Sequence, residues 1–390
     1  MTPQARVQAA IEILDAVIAA ARAKGAPADR ILSDWFRPRR FAGSKDRRAV
    51  RELVYAAIRQ CGEVPVTGRA AMLRVAAGDP ALAALFDGSR HAPAPIRADE
   101  PVASGGTAPA WLAQALAASG VDEGGQAALL RRAPVDIRIN MLKAALANLP
   151  EPGEPTIAPH ARRFPPDTPV EQWEAFQAGA IEVQDAGSQL VCEAVAARPG
   201  ETVVDLCAGA GGKTLALAAA MDNRGRLLAC DADRARLSRL MPRAERAGVT
   251  IAETCLLDAG REAAALTGWV GRADAVLVDA PCSGTGTWRR NPESRWRLTP
   301  AEVARLAALQ QRLLRLAATL VRPGGRLVYV VCSLLDAEGA DQVAAFLRDS
   351  PDFRAVPLAL GAGEARGEGR RLTAQFDGCD GFFVARLERL

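Results

Sequence analysis

Apolar positions recur at helical spacing through the first sixty residues. Val7, Ala10, Ile11, Leu14, Val17 and Ile18 fall on one face of a predicted helix, and Val50, Leu53, Val54, Ala57 and Ile58 on one face of another. The period fails at SRHAPAPIRADEPVASGGTAPA (89–110), whose Pro, Gly and Ala content predicts a flexible linker or long loop. A helical pattern returns near Trp111–Ala118, and VDIRIN (135–140) has strand character. The next stretch, 149–170, carries seven prolines and leaves room only for loops and short edge strands. From about 181, short apolar runs alternate with helical segments: TVVDLC (202–207), RLLACD (226–231), TIAETCLLD (250–258), AVLVDA (275–280) and RLVYVVCS (326–333), with a long helix at 300–320. Such alternation predicts an α/β architecture, a doubly wound and mostly parallel sheet of the Rossmann-like kind. The chain thus divides into a helical region (1–130), a small α/β subdomain (131–180) and a Rossmann-like domain (181–390).

Composition narrows the function. With 390 residues, 49% hydrophobic and 24% charged, the chain has ample material for two or three cores. It has no apolar run long enough for a membrane span, and its first residues do not follow the pattern of a secretory signal, so a cytoplasmic protein is expected. Net charge is only +4, but residues 1–60 carry twelve basic and six acidic side chains. The cluster Arg37, Arg39, Arg40, Lys45, Arg47, Arg48 and Arg51 could track a phosphate backbone or form a solvated helix face. Only four of the 49 basic residues are Lys, so a single Arg says little and the rare Lys says more.

Eight cysteines occur without a C-x-x-C pair, and two histidines cannot complete a zinc site or support Ser–His–Asp chemistry; no metal is expected. The first strand of the alternating region runs into Asp205-Leu206-Cys207-Ala208-Gly209-Ala210-Gly211-Gly212-Lys213-Thr214, a glycine-rich turn that opens a helix. Such a turn brings backbone close to a ligand at the positive end of the helix. Asp231 ends the second strand, where a carboxylate can accept from ribose hydroxyls. The turn matches neither G-x-G-x-x-G nor a Walker motif, so it suits a nucleoside cofactor better than a pyrophosphate, or is an unliganded tight turn. Two further strands end in Asp279-Ala280-Pro281-Cys282-Ser283-Gly284-Thr285-Gly286 and Val331-Cys332-Ser333. Either cysteine alone would be read as a structural thiol; at neighbouring strand ends beside a carboxylate, both face the ligand crevice.

DLCAGAGGKT, DAPCSGTG and YVVCS resemble the signatures of the RNA cytosine-5 methyltransferases of the Sun/NOL/NOP class, as do VQDAGSQLV (183–191), RRNPESRWRLTPAEV (289–303) and DGCDGFFVARL (377–387). RILSDWF and FAGSKDRRAVRELVYAAIRQ resemble the NusB-like RNA-binding domain of the subgroup that modifies small-subunit ribosomal RNA. The resemblance implies a class I methyltransferase sheet using S-adenosylmethionine, with an all-α NusB-like domain before it. It implies Cys332 as the nucleophile that adds to carbon 6 of cytosine, Cys282 as the group assisting product release, and Asp279 as a hydrogen-bonding partner of the base. Cofactor contacts carry over to Cys207, Ala208, Gly209, Ala210, Gly211, Gly212, Lys213, Asp231, Asp258 and Asp279, with Asp258 on the adenine side. Lys213 is also an electrostatic contributor near Cys332. The chain departs from the family in having Gly209-Ala210 where Ala-Pro is usual, and Val331 where Thr often precedes the nucleophile.

The implied partner is RNA, 16S ribosomal RNA first, and the implied state a monomer. The segment Arg289–Arg297, with four Arg and Trp296, is expected to contact RNA. Three enzymatic alternatives are a transfer-RNA enzyme, a DNA cytosine-5 methyltransferase with Cys282 as nucleophile, and a nicotinamide-dependent dehydrogenase, the last lacking its dinucleotide fingerprint. A ribosome-assembly factor that binds RNA without catalysis is the non-enzymatic one.

Overall fold

The computed structural model describes residues 1–390, which form two compact units: Met1–Arg131 with Thr287–Thr299, and Arg132–Gly286 with Pro300–Leu390. The first unit is helical: α1 (Pro3–Arg22), α2 (Ala28–Phe36), α3 (Ser44–Gln60), α4 (Gly68–Ala76), α5 (Pro80–Ala83), α6 (Ala110–Ala118) and α7 (Glu123–Ala128). The predicted apolar faces supply its core, since Val7, Ala10, Leu14, Val17, Ile18, Val50, Val54 and Ile58 are fully or almost fully buried. Thr2 starts α1 by accepting the Ala5 N–H at 3.2 Å, a cap worth about 1 kcal/mol.

The segment expected as a flexible linker has no helix or strand from 89 to 109, but it is fastened to the helices. The Arg69 guanidinium donates to the Ala94 and Pro95 carbonyls and to the Glu100 carboxylate, and Ala103 N–H donates to the Ala70 carbonyl. Proline-rich composition removes regular structure; it does not prevent anchoring by a partly exposed Arg.

In the second unit, the proline-rich stretch supplies β2 (Glu154–Pro155) and β3 (Ala161–Phe164) to a small antiparallel sheet completed by β1 (Val135–Ile139) and β4 (Ile181–Val183), ordered β2-β3-β1-β4. Pro155 sits on the edge strand, where no ladder donor is needed. β4 lies beyond the expected subdomain limit at 180, and this small sheet shares one compact unit with the larger sheet C-terminal to it. Asn140 Nδ2 donates to the Ala247 carbonyl, and buried Glu182 pairs with Arg243 and Arg246, which ties the two parts together.

The main sheet has nine strands: β5 (Thr202–Asp205), β6 (Arg226–Asp231), β7 (Ala252–Leu256), β8 (Ala273–Asp279), β9 (Val321–Val331), β10 (Phe353–Val356), β11 (Glu364–Arg366), β12 (Gly369–Leu372) and β13 (Phe382–Arg389). Their order is β11-β12-β13-β9-β8-β5-β6-β7, with β10 beside β13. β5 to β9 are parallel, and β13 enters antiparallel against β9. β5 lies between β6 and β8, so the strand order reverses there, and a crevice opens beyond the carboxyl ends of β5 and β8. Both faces of the central strands are covered, which is why VVD, LLAC and AVLV read as continuous apolar runs.

Candidate active site

Every catalytic candidate stands at a carboxyl end of the parallel strands. After β5 the chain turns through Gly209 (φ +56) and Gly211 (φ +88) into the helix Gly212–Ala220. Both angles lie where a side chain is strained, so glycine there has a steric cause. The turn is held by Ala208 N–H to the Cys230 carbonyl at 2.7 Å and by Gly209 N–H to Asp231 Oδ2 at 2.7 Å. Asp231 Oδ1 accepts from Asp233 N–H at 2.7 Å. The residue expected to meet a ribose therefore also fastens the turn, with carboxylate lone pairs left over.

Asp205 and Thr214 join this site although the sequence had given them no role. Asp205 is fully buried and accepts the Thr214 hydroxyl at Oδ2 (2.7 Å), while Oδ1 has no partner. Burial pushes its carboxyl up to about 7, against the Thr214 hydrogen bond that pulls it down. An orphaned buried carboxylate oxygen needs an explanation. Across the turn, a Cβ added at Gly212 would meet nothing within 4 Å, so space is open beside the helix start. An unpaired acceptor, exposed backbone donors and open space suit a nucleoside carrying a polar tail. Cys207 lines the same region; burial, then the nearby carboxylates of Asp279, Asp205 and Asp231, push its thiol well above the usual range, so it is a neutral wall.

Lys213 Nζ donates to Asp279 Oδ2 at 2.6 Å, joining the turn after β5 to the end of β8. Burial opposes the ammonium charge, but Asp279 and the neighbouring thiols Cys192 and Cys332 overcome it, and the Lys213 pKa is raised overall. The two cysteines also meet. Cys282 Sγ and Cys332 Sγ are 3.4 Å apart across fifty residues of sequence, both half-buried. Hydrogen bonding to Cys332, then burial, raises the Cys282 thiol well above its ordinary value. The contact is an S–H···S hydrogen bond in which either sulfur can donate.

Beneath the pair lies a network to which the sequence motifs supply Ser283, Thr285 and Ser333 but not the acid at its centre. Ser283 and Ser333, each next to a cysteine, share the buried carboxylate of Glu338, and Thr285 Oγ1 lies 3.1 Å from Ser333 Oγ. The repeated Cys-Ser dipeptide was the available signal; nothing in the sequence marked Glu338. Asp258 follows β7, one residue past Leu257, whose N–H donates to the Asp231 carbonyl at 2.9 Å; its side chain is exposed, with Arg261 at 3.9 Å.

One expectation is overturned. Within the Arg-rich segment after the Cys282 loop, Arg289, Arg295 and Trp296 are not a free RNA-contacting surface but an inner part of the helical unit, while Arg290 and Arg297 keep partial exposure. Arg295 is fully buried and Trp296 is 5% exposed. Arg295 donates to the Ile58 and Cys61 carbonyls, Trp296 Nε1 to the Cys61 carbonyl, and Glu293 accepts the Ala28 N–H. These side chains satisfy the otherwise open ends of α2 and α3.

Residues 192–388 match the model of the 16S rRNA methyltransferase RsmB/F family. The chain belongs to the RsmB/F family. It is 36% identical over 294 residues to the ribosomal RNA small subunit methyltransferase B of Xanthomonas campestris, covering 72% of this chain and 66% of that protein. To the enzyme of the same name from Xylella fastidiosa it is 37% identical over 305 residues, covering 74% and 70%. The chain thus spans about two thirds of the length of these RsmB relatives. Among solved structures, a methyltransferase homologue from Pyrococcus horikoshii superposes with TM-score 0.60 at 25% identity, covering 72% of this chain and all of that one. The sheet is that of the S-adenosylmethionine-dependent methyltransferases, as RsmB/F membership implies.

Proposed function

We propose that this protein transfers a methyl group to carbon 5 of a cytosine in RNA, with small-subunit ribosomal RNA as the substrate. The observation that carries this reading is the pair of thiols 3.4 Å apart beside the Lys213–Asp279 ion pair. S-adenosylmethionine supplies the electrophilic methyl group. The residues to hold it are the turn Cys207–Gly212, with Asp205 and Asp231 as carboxylate acceptors.

Carbon 5 of cytosine is a weak nucleophile, and a thiolate added to carbon 6 converts the ring to an enamine that can attack a methyl group. In this reading Cys332 forms that bond. Asp279 meets the amino and ring-nitrogen edge of the base, and Lys213 brings positive charge where the added electron pair accumulates. After transfer, Cys282 passes its S–H proton to the departing Cys332 sulfur and, as the thiolate, takes the proton from carbon 5, so the carbon 5–carbon 6 double bond re-forms as the carbon–sulfur bond breaks and returns its electrons to Cys332. The target base must leave its stack to reach both sulfurs, which favours a loop, bulge or unfolded region of RNA. The helical unit is the RNA-docking part in this proposal. Its exposed Arg37 and Phe41, 72% exposed in the latter case, suit phosphate contact and base stacking.

Cysteine variants test the chemistry. Cys332→Ala abolishes both methyl transfer and any denaturant-stable RNA adduct, whereas Cys282→Ala forms the adduct and fails to release it. The reverse assignment, with Cys282→Ala losing the adduct, would overturn the mechanism in favour of a DNA-enzyme-like nucleophile. Bisulfite sequencing of 16S RNA with and without the gene tests the substrate: an unchanged 5-methylcytosine map removes the ribosomal assignment.

A further inference from the structure

Glu338 is fully buried at the end of a single helical turn, Asp336–Glu338, that follows β9. Its carboxylate accepts four hydrogen bonds, none from a cation. Oε1 takes Ser283 N–H at 2.9 Å and Gln310 Nε2 at 3.1 Å; Oε2 takes the Ser333 hydroxyl at 2.6 Å and the Ser283 hydroxyl at closer range. Its own carbonyl accepts the Tyr329 hydroxyl from β9 at 2.6 Å. A buried carboxylate with only neutral donors is an expensive way to join loops that apolar residues could pack equally well. The arrangement asks for a reason beyond stability.

The donors supply one. Ser283 follows Cys282 and Ser333 follows Cys332, so one carboxylate holds the residue after each thiol. The loops are cross-linked again by Gly286 N–H to the Cys332 carbonyl at 3.0 Å and by Leu334 N–H to Thr285 Oγ1 at 2.8 Å. Gln310 Nε2 also donates to the Pro281 carbonyl at 2.9 Å, on the other side of Cys282. We propose that Glu338 is the positioning residue of the cysteine pair: by clamping Ser283 and Ser333 to one carboxylate, it fixes the distance and direction between the two sulfurs. The inference rests on the roles proposed above for Cys332 and Cys282. In that chemistry one sulfur must attack and the other must stand ready at release, so a pair that drifts apart loses rate without losing substrate.

Glu338→Gln keeps the volume but puts an amide NH2, which cannot accept, where Oε2 took both serine hydroxyls, so the two arms lose their shared acceptor. The first measurement is bridging of the two thiols by phenylarsine oxide, which joins neighbouring thiols and releases one water. The bridge is located by peptide mass mapping, with Cys282→Ala as the blank. Glu338→Gln is expected to bridge at least about tenfold more slowly than the parent chain, while its melting temperature moves by only a few degrees. In methyl transfer, kcat is expected to fall about a hundredfold, with KM for RNA and for S-adenosylmethionine within about threefold. A merely structural role would move the melting temperature and not this split. Should Glu338→Gln fail to fold, Ser283→Ala and Ser333→Ala, each removing one arm, are read in the same assays. Folded variants that bridge and turn over at the parent rate overturn the inference. Bridging that slows in a protein with no RNA adduct or methyl transfer upholds the positioning role and removes the proposed chemistry instead.

Discussion

Lys213 and Asp279 meet at 2.6 Å across the point where the strand order of the main sheet reverses. One comes from the turn after β5 and the other from the end of β8, so the contact exists only once both strands are paired. Asp279 secures the ammonium charge in a partly buried place, and Lys213 keeps that carboxylate aimed at the crevice. Lys213→Met should therefore remove a cation and strand an anion together. Methyl transfer in a single turnover is expected to fall by about 10²–10³, the scale of losing one preorganised electrostatic group. Adding Asp279→Asn should cost much less than its separate effect, since contacting residues are not additive. Strictly additive losses would show that the two act independently.

Asp205 couples the cofactor turn to pH. Its folded-state value, pushed up to about 7 by burial, lies above the roughly 3.9 of an unfolded chain. Between those values the native state binds more protons, so this group favours folding when protonated, and its contribution is lost as pH rises through about 7. Asp205→Asn, which cannot ionise, should melt several degrees above the parent at pH 8 and at nearly the same temperature at pH 4.5. The same change leaves a single acceptor oxygen where Asp205 has two, one on Thr214 and one unpartnered, and should weaken S-adenosylmethionine binding about tenfold. A variant no more stable at pH 8 than the parent would mean that the carboxylate is already well compensated.

The two left-handed glycines of the turn are not equivalent. A Cβ at Gly211 would lie 2.7 Å from Cγ of Leu240, a buried side chain with nowhere to move, whereas one at Gly209 would lie 2.6 Å from the mobile end of the Arg236 guanidinium. Gly209→Ala is expected to cost about 1 kcal/mol for the backbone, and Gly211→Ala about 2–4 kcal/mol once overpacking is added. Urea unfolding of the two variants checks the order. Equal costs would show that Leu240 yields as readily as Arg236.

How much of the fold is legible in the chain depends on the range of each signal. Strand ends such as Asp205-Leu206-Cys207 and Asp279-Ala280-Pro281-Cys282 are local: an apolar run stops and a turn begins, so the parallel sheet and its loops were legible. The meeting of Cys282 with Cys332 was legible too, because parallel neighbours end on one side. β10 to β13 went unassigned, since their residues, Arg370 and Arg371 among them, do not alternate cleanly on a sheet edge. Glu338 looks like a surface acid six residues past Cys332; only the tertiary approach of Ser283 and Gln310 gives it a role. The fastened loop at 89–109 was missed for a similar reason, as its anchor Arg69 lies twenty or more residues away.

Arg295 marks where composition misled most. An Arg-rich run with a Trp reads as a nucleic-acid contact, yet Arg295 donates to the Ile58 carbonyl at 2.6 Å and the Cys61 carbonyl at 2.8 Å inside the helical unit. Burial pulls its guanidinium down to about 10, which still leaves it charged at neutral pH. Replacing it strands buried carbonyl groups, so Arg295→Ala should destabilise the protein by about 3–5 kcal/mol, against less than about 0.5 kcal/mol for Arg37→Ala on the exposed face of the same unit. RNA binding separates the two roles further. A phosphate contact shows itself in the salt dependence of affinity, whose slope falls by about one for each lost contact. Measured at a temperature where both variants remain folded, Arg37→Ala should lower that slope and Arg295→Ala should leave it unchanged. A stable Arg295→Ala protein with a reduced slope would return this arginine to the RNA-binding surface.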